Sequence, residues 1–177
     1  GGGRSRGYGV LKVLKPEVRA PHTLSAPALL EFSDAASRAL DVNASGAGLL
    51  FALTAASPWL FRGKDGGYER TLEAARLAAA LELEPNDTPL EDRILFHARQ
   101  VRSGHRASWD AAAGLPLELR HLIAAGSTFL CEVRDCNAID LANRLSRLIR
   151  RGIGGQRVEG LGRITVNHPI FRSHEHA

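Results

Sequence analysis

Two glycine-rich stretches of the same pattern lie near opposite ends of the chain, and each runs into a strand-like sequence. The first, GGGRSRGYGVLKV, begins at Gly1, and the second, GIGGQRVEGLGRITV, begins at Gly152. When they are aligned, Arg4, Gly7 and Gly9 correspond to Arg157, Gly160 and Gly162. A repeat with such wide spacing indicates two copies of one structural unit, each ending in a glycine-rich loop and a strand.

The region from about residue 46 onward predicts one complete unit of strands and helices. Strands are expected at 46–56, 94–102, 127–134 and 163–167. Helices are expected at 68–83 and 138–151. Asn137 can cap the second helix, whose expected apolar stripe consists of Ile139, Ala142, Leu145 and Ile149. A polar segment through Pro116 follows the second strand. This order predicts an α+β, ferredoxin-like (RRM-like) fold with one antiparallel sheet, both helices on one face and the other face left for a partner.

The predicted domain organisation has three parts. Residues 1–15 are expected to form the loop and final strand of a first unit whose remainder is absent. Residues 16–45 are expected to be a connector with a helical pattern around 28–40, and residues 46–177 form the second, nearly complete unit. Because the chain contains no Met, we expect it to be the C-terminal portion of a longer protein.

The composition is that of a globular protein with a basic surface. Its 44% hydrophobic content contains no apolar run long enough for a membrane span, so no membrane partner is expected and the predicted location is the cytoplasm. Cys131 and Cys136 are too few for a disulfide framework or a thiolate metal cluster, and we expect them to be reduced and buried. The net charge is +4, and three of the 23 basic residues are lysines, which leaves 20 arginines.

Arginine-rich composition has two interpretations. The planar guanidinium group suits phosphate oxygens and can stack on bases, which indicates nucleic acid as a partner. Alternatively, the arginines reflect a GC-rich genome and solvate the helices.

Both glycine-rich loops are predicted to bind an RNA backbone. Glycines permit positive φ, so that successive N–H groups can converge on an anion, and the arginines add bidentate contacts. The predicted RNA-binding residues are Gly1, Gly2, Gly3, Arg4, Ser5, Arg6, Gly7, Tyr8, Gly9, Gly152, Gly154, Gly155, Gln156, Arg157, Gly160, Gly162 and Arg163. Neither loop is a nucleotide P-loop, because the Gly-Lys-Ser/Thr ending is missing and each loop enters a strand. The alternative is that each loop is only a permissive connection.

The two loops differ in charge, because Arg6 of the first corresponds to Glu159 of the second. We therefore expect the first loop to bind RNA more strongly, with Glu159 paired to Arg157 or Arg163. The helix before the second loop carries Arg144, Arg147 and Arg151 on one face. This face is expected to be solvated, with a secondary RNA or partner surface as the alternative.

The sequence resembles the RAMP superfamily of CRISPR-associated proteins at residues 152–169, at residues 108–133 and in the first loop. The likeness is clearest over about 93–169 and 1–12, and it is greatest to the two-domain guide-handle-binding subunit of type III effector complexes. In that family a ferredoxin-like fold carries a glycine-rich loop between the second helix and the last strand.

The resemblance implies a non-catalytic subunit in antiviral defence, with no cofactor and no metal. Such a subunit binds the five-prime handle of the guide RNA and contacts the large polymerase-type subunit and the backbone RAMP subunits. Target RNA would be met only indirectly. The missing first half of the first domain leaves open how much of the handle pocket this chain forms alone.

Two alternatives remain. Some RAMP proteins cut RNA by acid–base catalysis with a His, and others rely on a loop Asp, for which His105, Asp65 and Asp110 are candidates. The seven histidines form no recognisable constellation, and His174 with His176 is weak evidence for a metal site. The second alternative is a structural scaffold whose glycine-rich loops only pack against neighbouring subunits.

Overall fold

The computed structural model describes residues 23–40, 48–83, 89, 92–107, 109–110, 114–116 and 118–168. The first glycine-rich loop and the strand expected after it lie outside these residues. The helices are α1 (Ala26–Ala39), α2 (Ala74–Ala80) and α3 (Ala138–Arg151). The strands are β1 (Leu49–Ala55), β2 (Ile94–Gln100), β3 (Ser103–Arg106), β4 (Trp109–Asp110), β5 (Leu115–Pro116), β6 (Arg120–Ile123), β7 (Thr128–Val133) and β8 (Ile164–Val166).

Four strands form one sheet in the order β2-β7-β1-β8, and every neighbouring pair is antiparallel. In chain order these are the second, third, first and fourth strands of the unit, which is the ferredoxin-like arrangement. Alternation along β7 places Phe129 and Cys131 in the main core, whereas Leu130 and Glu132 point to the opposite face. The predicted ferredoxin-like fold is therefore confirmed.

Helix α3 has the predicted bounds and the predicted cap. The Asn137 side chain accepts the N–H of Asp140 at 2.8 Å, which satisfies one of the unpaired donors at the helix start. The predicted apolar stripe is partly wrong, because Ile139 is 66% exposed. The buried apolar residues of α3 are Leu141, Ala142, Leu145 and Leu148.

Helix α2 is much shorter than the predicted 68–83, because its expected first turns are not helical. Arg62 and Tyr68 form an isolated antiparallel bridge across the turn predicted at Asp65, whose side chain accepts the N–H of Gly67. Glu82, the residue that follows the C-cap of α2, has a positive φ of 55°. The N–H of Leu83 then donates to Ala78 at 3.1 Å, so the chain closes in a Schellman arrangement with Glu where Gly is usual.

The part of the predicted connector that the structure describes packs into the fold. Leu24 and Leu29 belong to the main core, and α1 lies along the half of β1 that β8 does not reach. There the Ser33 hydroxyl accepts the N–H of Leu50 at 3.0 Å, and the Asn167 amide oxygen accepts that of Ala52 at 2.9 Å. Two buried side chains thus replace a neighbouring strand, and the boundary at residue 45 stays a prediction.

A small β-hairpin lies between the second and third strands of the unit, where the sequence indicated only a polar segment. Strands β3 and β6 pair antiparallel, with His105 opposite His121 and Arg106 opposite Arg120. The hairpin joins the rest of the fold through a bridge between Trp59 and Ile123. None of the helices in the described part of the chain has the length and apolar character needed to cross a bilayer.

Candidate functional site

The second glycine-rich loop connects α3 to β8 and folds back on itself and on the segment after β1. Its glycines are required by close backbone approach. A side chain on Gly162, which has φ of 80°, would begin 2.1 Å from the carbonyl oxygen of Ile153, and one on Gly154 would begin 2.6 Å from that of Leu60. Gly160 differs, because its φ is 84° but a Cβ added there would have no neighbouring atom within 4 Å. Close packing and a positive φ together therefore account for glycine at these positions.

Several main-chain N–H groups of the loop donate to carbonyl oxygens of the protein itself. Those of Ile153, Gly155 and Gly162 donate at 2.8 to 2.9 Å to the carbonyl oxygens of Gly162, Leu60 and Pro58. Among the described residues, the main-chain N–H groups of Gln156 and Arg157 have no such partner. The expected convergence of amides on an anion is therefore limited, and side chains must supply most of the positive charge.

A cavity of about 380 Å³ lies between the loop, the C-terminal end of α3, α2 and the segment after β1. Four arginines line it: Arg62, Arg76, Arg151 and Arg157. Arg76 is paired with Glu69 at 2.7 Å. Arg157 is exposed, donates only to the carbonyl oxygen of Arg151 at 3.4 Å, and meets no carboxylate in the described part of the chain. We call these four arginines the basic wall, in which Arg62, Arg76 and Arg151 are each paired with a carboxylate.

A second cavity of about 250 Å³ adjoins the first, because Leu60 and Arg62 line both. Its other walls are Tyr68, Glu118, Arg120 and Gln156. Arg120 has no acidic partner among the residues described. Gln156 thus lines the smaller cavity and Arg157 the larger one, and we refer to these two neighbouring cavities as the cleft.

Glu159 pairs with Arg106, at 2.9 Å, and not with Arg157 or Arg163 as the sequence suggested. Arg106 comes from the β3–β6 hairpin, which the sequence did not predict, so this partner could not be identified in advance. The pair is about two-fifths exposed on each side. It joins the hairpin to the loop and leaves Arg157 without a carboxylate nearby.

The arginine face of α3 contacts the end of α2, and its side chains remain partly exposed, as expected. Arg144 donates to the carbonyl oxygen of Leu81 at 3.1 Å, and Arg151 to that of Ala80 at 2.6 Å. Arg147 and Arg151 also contact the carboxylate of Glu82. Cations at a helix C-terminus stabilise its unpaired carbonyl groups. This face therefore holds α2 against α3, and Arg151 also lines the larger cavity.

The candidate catalytic residues separate in the structure. Asp65 holds a turn, and Asp110 lies in β4 and not in a loop as expected. The rings of His105 and His121, in contrast, stand edge-to-face with centroids 4.5 Å apart. The ring of Tyr68, which lines the smaller cavity, lies 6.5 Å from that of His121, although neither histidine lines this cavity. The sequence identified His105 but not its partner, because cross-strand pairing depends on the hairpin register.

A further ionisable cluster occupies the other face of the sheet. His97 Nε2 lies 2.6 Å from the Glu132 carboxylate, and Arg134 Nε lies 2.9 Å from its other oxygen. Burial raises the pKa of Glu132, but hydrogen bonds from Arg134 and His97 outweigh burial and hold this pKa below its ordinary value of 4.5.

The two cysteines are free thiols. Burial raises the pKa of Cys131, which lies in the core, and that of the half-buried Cys136. Within the described ranges, no group of three or more His, Cys, Asp or Glu side chains could hold a metal ion.

No protein-family model matches the chain, and no curated protein matches it. Solved structures similar to it include a Cas6 product complex, with 21% identity over 66% of this chain and 50% of that one, and a TM-score of 0.44. Thermus thermophilus Cas6 aligns over 66% and 52%, with 11% identity and a TM-score of 0.41. Cas6e from Escherichia coli K-12 aligns over 69% and 61%, with 17% identity and a TM-score of 0.30. The likeness covers less than two thirds of each of these chains.

Proposed function

We propose that the chain is an RNA-binding RAMP-type subunit of a CRISPR type III effector complex. In this proposal it binds the five-prime handle of the guide RNA without cutting it. The cleft along the second glycine-rich loop binds the RNA backbone, and the first loop adds a second grip. The contacts with the large polymerase-type subunit and the backbone subunits belong to the same proposal and rest on the sequence resemblance.

The observation that carries the proposal is the basic wall beside a rigid loop. Arg157 is an exposed guanidinium group without an acidic partner among the described residues, on a loop that close backbone packing holds in one shape. Arg62 and Arg76 line the same cavity. A guanidinium group without a carboxylate partner keeps most of its donors for phosphate oxygens, and a rigid support lowers the entropy lost on binding.

The smaller cavity supports a single strand in preference to a duplex. It adjoins the basic wall, contains the aromatic side chain of Tyr68, and extends the same cleft. Single strands expose bases that can leave the stack and contact aromatic and guanidinium groups, whereas a duplex presents mainly its backbone.

The test is binding of fluorescent single-stranded RNA to the wild type and to the Arg157→Ala variant. We expect the variant to bind several-fold more weakly, and wild-type affinity to fall steeply as salt rises. The matched control is Arg38→Ala, because Arg38 lies on α1 and donates only to its neighbour Asp34. An RNA affinity that changes neither with salt nor in Arg157→Ala would contradict the proposal and favour the scaffold alternative.

The contact between His105 and His121 favours a second candidate function, an RNA endonuclease. One imidazole would remove the proton from a ribose 2′-hydroxyl, which attacks the adjacent phosphorus. The other would protonate the departing 5′-oxygen, so the products would be a 2′,3′-cyclic phosphate and a 5′-hydroxyl.

The two candidates are separated by incubating labelled guide precursor and target RNA with the protein in the presence of a chelator. The non-catalytic proposal predicts intact RNA. Cleavage that is lost in both His105→Ala and His121→Ala, but retained in Asp110→Asn, would establish the endonuclease and overturn the first proposal.

A further inference from the structure

We infer that the smaller cavity is a nucleobase pocket that receives one unstacked base of the bound strand and favours guanine. The inference rests on the proposed RNA-binding function and adds base specificity to it. The pocket of about 250 Å³ is lined by Leu60, Arg62, Tyr68, Glu118, Arg120 and Gln156.

The two cavities differ in charge and therefore suit different parts of a nucleotide. The larger cavity has four arginines in its lining and no carboxylate among the lining residues. The smaller one includes Glu118, whose carboxylate accepts the Tyr68 hydroxyl at 2.9 Å and Arg62 at 3.0 Å. A carboxylate repels phosphate but accepts the N–H groups of a base. A strand lying along the cleft therefore places its phosphate against Arg157 and a base beside Glu118.

One wall of the pocket is formed by the Arg62 guanidinium group over the Tyr68 ring. The guanidinium carbon of Arg62 lies 5.6 Å from the centroid of the Tyr68 ring. The hydrogen bonds from Tyr68 and Arg62 to Glu118, together with one from Arg62 Nε to the Gly66 carbonyl at 3.1 Å, hold both groups in place. Guanidinium planes and aromatic rings are the surfaces on which unpaired bases stack. The wall is therefore already formed before a base arrives.

The loop supplies an acceptor that has no partner. The side-chain oxygen of Gln156 is buried and has no hydrogen bond among the described residues. Its backbone is held at φ of 54° by the packed glycines around it. Because a buried oxygen without a donor is unfavourable, a ligand N–H that reaches Gln156 gains more than it would at an exposed oxygen.

These groups match guanine better than the other bases. Guanine carries adjacent N1–H and N2–H₂ donors for Glu118 and Gln156, and its O6 and N7 acceptors suit the unpaired guanidinium group of Arg120. Adenine offers a single amino donor on its pairing edge, and uracil a single N–H. The specificity therefore follows from two acceptors and one free cation around one cavity.

The experiment measures anisotropy of ten-nucleotide oligouridine RNAs that carry one central guanine, adenine, cytosine, uracil or abasic residue. We expect the wild type to bind the guanine RNA about 5-fold or more tightly than the abasic RNA. Gln156→Ala and Glu118→Gln should each reduce this ratio toward one, and Arg38→Ala should keep it. Glu118 is more than half exposed, so its variant keeps the fold.

The outcomes distinguish this inference from the proposed function. If the wild type binds all five RNAs equally, with affinity that depends on salt and Arg157, the base pocket is wrong and the backbone grip stands. If the guanine preference survives in both Gln156→Ala and Glu118→Gln, the assignment to this cavity is wrong. If no RNA binds, both proposals fail.

Discussion

Replacing Gly162 by Ala tests whether the loop is a closely packed bend. Gly162 has φ of 80°, and a Cβ there would lie 2.1 Å from the carbonyl oxygen of Ile153, whose own N–H donates to Gly162 at 2.8 Å. The positive φ costs an alanine roughly 1–2 kcal/mol. The overlap is with backbone, which cannot rotate away, and overpacking of this kind costs about 1–3 kcal/mol more.

Gly160→Ala is the matched control, because φ is 84° there but nothing lies within 4 Å of the added carbon. We expect Gly160→Ala to lose about 1–2 kcal/mol and Gly162→Ala roughly 2–5 kcal/mol. The free energies of unfolding come from urea titration with circular dichroism, in which this difference moves the midpoint by about 0.5 M or more. Equal losses in the two variants would refute the close-packing account of the loop.

Two further predictions concern the sheet. Glu132→Gln should reduce the loss of stability that the wild type shows as the pH falls. The pKa of Glu132 is lowered in the folded state, so its stabilisation is present above pH 4.5 and is lost below it. Urea midpoints between pH 6 and pH 3 would measure this difference. An equal loss of stability in the variant would contradict this. Ser33→Ala should lower the free energy of unfolding by about 1–3 kcal/mol, because it leaves the buried N–H of Leu50 without an acceptor. Asp34→Ala, at an exposed position of the same helix, should leave the urea midpoint nearly unchanged. Equal effects of the Ser33 and Asp34 variants would show that the edge bond contributes nothing.

Much of the fold follows from local sequence signals. Asn137 marks the start of α3, and Gly152 follows its last residue, so both ends of this helix were predicted. Alternation along β7 identified its two faces because one face must be buried. The length of helix α2 was overestimated, since Leu72 recurs at helical spacing although it lies before the helix and is buried from a non-helical segment.

The β3–β6 hairpin could not be predicted from the same signals. Its strands have four residues each and include Gly104, and only their pairing makes them a ladder. The ion pair between Arg106 and Glu159 was missed for the same reason. Helical spacing also grouped Ile139 with the buried residues, although nothing covers it in the described part of the fold.

The candidate site was predicted only in part. The predicted RNA-binding residues of the second loop include Arg157 and Gln156, and both line the cleft. Tyr68 and Arg120 join them from segments 88 and 36 residues away along the chain, at distances that only the tertiary structure sets. The prediction that the first loop binds RNA more strongly than the second stays a prediction, because residues 1–22 lie outside the described part.

The salt dependence of RNA affinity tests the central claim most directly. For a single strand, the slope of log K against log salt changes by about 0.7 for each phosphate that a cation neutralises. We predict a steep negative slope for the wild type, a slope shallower by about 0.7 for Arg157→Ala, and no change for Arg38→Ala. Identical slopes for the wild type and Arg157→Ala would show that the loop arginine does not contact the RNA backbone.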